Sequence, residues 1–166
     1  THDAAKLNFT STALQVQGRV ILNGSGTGYF EQSPITVQEL ALRDSAGPAL
    51  MQANEQFCLT TLQSPITVLS GNLNFNNESC LRSEDSQIVV VDGSVVFTGS
   101  SLMDISVESE LRIDGGNFEL QDSAQLSADE ATIAVNSGMF HARDNVDLDL
   151  NTVNIFVGGN VELTGA

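Results

Sequence analysis

Apolar residues recur along this chain in short pairs, each split by one outward position. The first set reads Leu14/Val16, Ile35/Val37, Ile66/Val68, Val89/Val91, Leu111/Ile113, Ile133/Val135 and Ile155/Val157. A second pair follows each after a turn: Val20/Leu22, Leu40/Leu42, Leu73/Phe75, Val95/Phe97, Phe118/Leu120, Phe140/Ala142 and Val161/Leu163. A third, less regular strand closes each repeat, clearest at Leu7/Phe9, Ala124/Leu126 and Val146/Leu148/Leu150. Alternation with period two in runs this short predicts half-buried strands and excludes helices.

The pairs keep a beat. Val91, Ile113, Val135 and Val157 fall 22, 22 and 22 residues apart, and upstream the anchors continue at Val68, Val37 and Val16. Repeats that lay one apolar stripe on the next form quasi-one-dimensional solenoids. Three short strands in about 22 residues predict an all-β fold, a single parallel β-helix (β-solenoid) of about seven coils spanning residues 1–166. The right-handed form is expected, as for parallel crossovers generally. An antiparallel sandwich also has many short strands and Gly-rich turns, but it does not predict a recurring interval of one length. The interval from Val37 to Val68 is 31 residues, which predicts an insertion loop around 45–56. Insertions in solenoids map to loops, often on a binding face; a neutral packing loop is the alternative.

Composition narrows the partners. Twenty-one acidic residues against six basic give a net charge of −15 and a pI near 4.1. Six scattered cations make no phosphate-neutralising stripe, so no nucleic-acid partner is expected, and anionic membrane surfaces are disfavoured. No apolar run approaches the roughly 20 residues that span a bilayer, so no membrane insertion is expected. The first residues carry neither a starting Met nor a basic-plus-apolar leader, and the chain reads as a mature or excised segment.

Cys58 and Cys80 lie 22 residues apart, one coil period, each followed by Leu and preceding a strand of the first set at nearly the same offset. Stacked equivalents in neighbouring coils sit about 4.8 Å apart, within disulfide reach. A Cys58–Cys80 disulfide is therefore expected, with two free buried thiols as the alternative; the bond implies an oxidising compartment, extracellular or cell-surface. Three triplets are glycosylation candidates, Asn8-Phe9-Thr10, Asn23-Gly24-Ser25 and Asn77-Glu78-Ser79, with Asn23 best placed in a turn.

No catalytic constellation stands out, and no enzyme is expected. His2 is near a terminus and His141 falls between Phe140 and Ala142 on an outward position, neither with a nucleophile or carboxylate partner legible in the sequence. Gly93, Gly115, Gly116, Gly158 and Gly159 recur at corners, where glycine supplies positive φ. Asp92, Asp114 and Asn136 follow successive anchors and are expected to stack as a corner ladder. Such a ladder is a candidate for calcium, which takes oxygen ligands, but turn-forming residues without metal are the favoured reading, and Asp144, Asp147 and Asp149 read as solvated outward charges. The outward positions Gln15, Thr36, Thr67, Val90, Arg112, Ala134 and Phe156 hold no acid cluster. Val90, Val96 and Phe156 form a candidate outward apolar patch.

At the repeats Val91-Asp92-Gly93-Ser94-Val95-Val96-Phe97-Thr98-Gly99 and Val157-Gly158-Gly159-Asn160-Val161-Glu162-Leu163-Thr164-Gly165, with their Ser/Asn/Gly-rich corners, the chain resembles filamentous-haemagglutinin-like and autotransporter-passenger β-helices. That resemblance implies a secreted or surface-displayed stalk, adhesin or filament. Leu7/Phe9 and Val161/Leu163 occupy consecutive places in the coil cycle, which predicts either flanking coils in a longer chain or end-to-end self-association. The leading expectation is an extracellular structural or adhesive rod segment with a glycan or cell-surface partner. A carbohydrate-binding or polysaccharide-degrading β-helix is the alternative, and a module binding partners through 45–56 a third.

Overall fold

A computed structural model describes residues 5–17, 20–22, 25–38, 51–53 and 55–165. Seven rungs of three strands each stack along one axis. Rung 1 comprises Ala5–Thr10, Leu14–Gln17 and Val20–Leu22; rung 2, Gly26–Glu31, Ile35–Gln38 and Met51–Ala53; rung 3, Cys58–Leu62, Ile66–Val68 and Leu73–Phe75. Rung 4 holds Cys80–Glu84, Gln87–Asp92 and Val95–Phe97, and rung 5 holds Leu102–Ser106, Glu110–Gly115 and Phe118–Leu120. Rung 6 is Gln125–Asp129, Thr132–Val135 and Phe140–Arg143; rung 7 is Asp147–Asn151, Asn154–Val157 and Val161–Thr164. The first, second and third strands of the rungs form three seven-stranded parallel sheets, here A, B and C. Seven rungs are six steps apart, so the seven expected coils amount to about six turns of a β-solenoid.

The core is the inward side chain of every strand. Ile35, Ile66, Ile88, Leu111 and Ile133 stack in sheet B, and each is fully buried. Strand spacing forces like on like: the rings of Phe75 and Phe97 lie 4.8 Å apart and 7° from parallel, and Phe118 lies on Phe140 in the same manner at 5.2 Å. Near the first rungs, Gly28 takes an inward place that Leu59 and Leu81 hold in rungs 3 and 4, leaving an apolar hollow of about 80 Å³ among Phe9, Phe30 and Leu59.

The register departs from the sequence expectation in one coil. Ile88 and Val90, not Val89 and Val91, are the inward pair of rung 4: Val90 is fully buried and pairs with Val68 and Ile113, while Val91 is exposed. The intervals along sheet B are therefore 22 from Val68 to Val90 and 23 from Val90 to Ile113. The additional residue sits in the rung 5 corner, where Val107 and Glu108 both adopt left-handed φ, 51° and 59°. Three consecutive valines at 89–91 suit either parity, and only the neighbours' pairing decides which faces in.

Rung 2 brings a second correction. Met51–Ala53 pairs with Val20–Leu22 on one side and Leu73–Phe75 on the other, so it supplies the sheet C strand assigned from sequence to Leu40/Leu42. The expected insertion 45–56 thus contains a strand, and the extra chain falls at 39–50, before that strand. Leu40 and Leu42 lie outside the described residues.

Candidate functional site

The corners carry most of the polar chemistry. Between sheets A and B, Ser33, Ser64, Ser86 and Ser109 form a buried ladder in which each hydroxyl accepts a backbone N–H from the preceding rung. Thr12 N–H donates to Ser33 Oγ at 3.0 Å, Ser33 N–H to Ser64 at 2.8 Å, Ser64 N–H to Ser86 at 2.9 Å and Ser86 N–H to Ser109 at 3.2 Å. The same hydroxyls donate back to carbonyls of Glu31, Leu62, Glu84 and Ser106. A strand-to-strand corner needs its backbone groups paired, and serine does this within two or three residues. Beside the serines runs a column in left-handed conformation, Ser11, Gln32, Gln63, Asp85, Glu108, Glu130 and Thr152. Gln32 Nε2 donates to Gln63 Oε1 at 3.3 Å, and Gln63 Nε2 to Asp85 at 2.9 Å.

Neither ladder follows from the sequence reading given above, yet a signal exists. Gln32-Ser33-Pro34-Ile35-Thr36-Val37 and Gln63-Ser64-Pro65-Ile66-Thr67-Val68 are the same hexapeptide 31 residues apart. A repeat that preserves corner Gln and Ser as well as the apolar pair points to side chains that bond to their own copies.

Cys58 and Cys80 are direct neighbours in sheet A, with Cα atoms 4.4 Å apart, and they form a disulfide between rungs 3 and 4. Asn8 is exposed on the outer face of sheet A. Asn77 is exposed at a corner with φ of 60°, but Ser79 of its triplet is fully buried. Asn23 and His2 lie outside the described residues.

The shift of register breaks up the predicted corner ladder. Asp92 pairs with Gly115 rather than with Asp114, so only Asp114 and Asn136 stack, with Asn136 Nδ2 donating to Asp114 Oδ1 at 2.7 Å. Arg112 Nε lies 3.3 Å from the same carboxylate, so a guanidinium offsets its negative charge. Among the described residues, no three His, Cys, Asp or Glu side chains group closely enough to hold a metal ion. Asp147 and Asp149 lie on the outer face of sheet A and Asp144 at a corner. His141, outward on sheet C, stacks between Glu119 and Glu162, and its Nε2 is 3.9 Å from the Glu162 carboxylate. Those flanking carboxylates were not legible without the rung alignment.

The apolar patch expected from Val90, Val96 and Phe156 is not assembled. Val90 is core, Val96 lies on sheet C, and Phe156 is 61% exposed on sheet B in rung 7. At the corner glycines, Gly93 and Gly116 have positive φ, 154° and 157°, but Gly115, Gly158 and Gly159 do not. Their common need is room: a Cβ on Gly158 would stand 2.0 Å from the Asn136 carbonyl oxygen.

What the outer surface offers is ladders along the axis: Arg82 over Asp104 on sheet A, Asp129 over Asn151 at its edge, and Gln87 over Glu110 on sheet B. Among the described residues no helix is long and apolar enough to cross a membrane. No protein-family model matches the chain, and neither a curated protein nor a solved structure matches it. The established description is thus architectural: the chain is a disulfide-linked parallel β-solenoid of about 22 residues per turn.

Proposed function

We propose that this chain is a structural or adhesive segment of an extracellular or cell-surface rod, of the kind built by filamentous-haemagglutinin-like and autotransporter-passenger β-helices. The observation that carries the proposal is axial continuity. All three sheets run through seven rungs, and the polar corners bond to their own copies above and below, so adding rungs lengthens the object without altering its cross-section. A solenoid built this way is a spacer by construction, with each rung contacting mainly its neighbours. The Cys58–Cys80 disulfide supports an oxidising compartment. The net charge of −15 supports a soluble, self-repelling lateral surface. The proposal assigns the chain no catalytic activity, no nucleic-acid partner and no membrane insertion; its partners are a glycan or surface receptor and further β-solenoid along the axis.

The test is localisation with thiol status. Intact source cells and their medium are treated with a membrane-impermeant protease, and non-reducing peptide mapping follows the Cys58/Cys80 peptide. The proposal expects the chain at the surface or in the medium with that pair oxidised. Protection from protease in intact cells, with both thiols free, refutes it.

A further inference from the structure

We propose that Asn8 carries an N-linked glycan whose first sugar lies against the Tyr29 ring. The inference rests on the extracellular reading above, because an Asn-X-Thr triplet is an acceptor in chains that are secreted.

The strand itself sorts the triplet. Alternation turns Phe9 inward, where its ring stacks on Phe30 with centroids 4.7 Å apart, and turns Asn8 and Thr10 outward, where both are exposed. One face therefore presents both the amide that would be modified and the hydroxyl that marks it. The direction is lateral, away from the axis, so rungs above or below leave the site open. Elsewhere asparagine side chains are spent on bonds between rungs: Asn72 and Asn117 accept backbone amides, and Asn136 and Asn151 donate to carboxylates. Asn8 takes part in none of these.

Asn77 lacks this arrangement. It stands at a corner with φ of 60°, and the hydroxyl of its triplet, on Ser79, is fully buried. The next residue, Cys80, is tied to Cys58, which closes that corner further.

Two neighbours fit Asn8 to a sugar. Tyr29 is its direct partner in the next strand of sheet A, about 4.8 Å away. It points outward and is 36% exposed, with Thr60 on its other side. An aromatic face is electron-rich and receives the C–H bonds of a sugar ring. The second neighbour is Lys6, on the same face two residues earlier and the only lysine in the chain. The outer side of the first strand of rung 1 holds Lys6, Asn8 and Thr10 and no carboxylate, whereas sheet A of rungs 5 to 7 presents Asp104, Asp129, Asp147 and Asp149. The donor is a glycosyl diphosphate, an anion, and on a chain of net charge −15 it is repelled least beside Lys6.

The step balances without an oxidant or reductant. Asn8 Nδ2 attacks the anomeric carbon of the glycosyl diphosphate and forms a C–N bond. The C–O bond to the diphosphate breaks, the leaving diphosphate keeps the bonding pair, and one Nδ2 proton passes to a base of the transferase.

The test is mass spectrometry of the peptide spanning Asn8, from protein purified from its source and fragmented by electron transfer. The expected result is a sugar on Asn8 and none on Asn77; a preassembled chain marks a lipid-linked donor, and a single sugar a nucleotide-linked one. Thr10→Ala, at an exposed residue, is expected to abolish the modification and Thr10→Ser to retain it. The glycosylated chain is expected to melt about 2 °C above the same chain made in a host without the transferase, and Tyr29→Ala to remove that difference. An unmodified Asn8 overturns the proposal, as does a sugar on Asn77 in place of Asn8, and a melting difference that survives Tyr29→Ala refutes the contact with the ring. A bare Asn8 on a surface-exposed, oxidised chain refutes the glycan and leaves the rod reading standing; a glycosylated Asn8 on a chain retained inside the cell does the reverse.

Discussion

Ser64 and Ser79 are both fully buried in rung 3 and the corner that follows it, and the same substitution at the two sites has opposite expected signs. Ser64 Oγ accepts the Ser33 N–H at 2.8 Å and donates to the Leu62 carbonyl at 2.8 Å. Ser64→Ala leaves the Ser33 amide, itself at 0% exposure, without its acceptor. An orphaned buried donor costs about 1–3 kcal/mol, and the lost bond to Leu62 adds to that, for a total near 2–3 kcal/mol. Ser79 Oγ is buried with no hydrogen-bond partner. Removing a hydroxyl that already carries an uncompensated desolvation cost stabilises by about 1 kcal/mol. Volume change and unfolded-state effects are the same in both variants, so the difference, about 3–4 kcal/mol, isolates the serine ladder. Equilibrium denaturation in urea measures it directly; by heat, a domain of this size shifts about 2–4 °C per kcal/mol, which separates the variants by roughly 10 °C. If Ser64→Ala and Ser79→Ala move stability in the same direction by similar amounts, the corner ladder is not what holds rungs 2 to 4 together.

Reduction of Cys58–Cys80 opens a loop of about one coil and is expected to cost about 3 kcal/mol on the chain-entropy estimate; denaturation with and without reductant, or of a Cys58→Ala/Cys80→Ala double variant, checks it. A Cβ at Gly138 would stand 1.7 Å from the Gly116 carbonyl oxygen, a backbone atom with nowhere to go, so Gly138→Ala is expected to destabilise by more than about 3 kcal/mol. Gly28→Ala goes the other way. Its Cβ would stand 3.0 Å from the end of the flexible Leu59 side chain and in ordinary contact, 3.5 Å, with the Phe30 and Phe57 rings, beside the apolar hollow, and restricting the unfolded chain is expected to stabilise by about 0.5–1 kcal/mol in thermal melts.

The solenoid was legible because its stripes are physical: an inward residue every second position, and a return to the same place after one turn. Where alternation fails, legibility fails with it. Val89, Val90 and Val91 fit either parity, and the single residue added at the Val107–Glu108 corner displaced the predicted alignment of Asp92 with Asp114. Leu40/Leu42 imitate an inward pair, but the strand of sheet C begins at Met51. The cysteine pairing was readable from one period of separation, since both residues share the strand register. The serine ladder was hidden because hydroxyl-to-amide bonds leave no hydropathy signature. His141 shows the same limit: Glu119 and Glu162 become its neighbours only once rungs 5, 6 and 7 are aligned.

The central claim is that this chain extends a single-file rod, and mass per unit length tests it most directly. Seven rungs carry 17.6 kDa, and each step advances about 4.8 Å, so a single-file rod weighs about 0.5 kDa per Å. Scanning transmission electron microscopy of native extracellular material containing the chain is predicted to show unbranched rods of that linear mass. Compact particles, or rods of twice that linear mass formed by side-by-side pairing, would contradict the account.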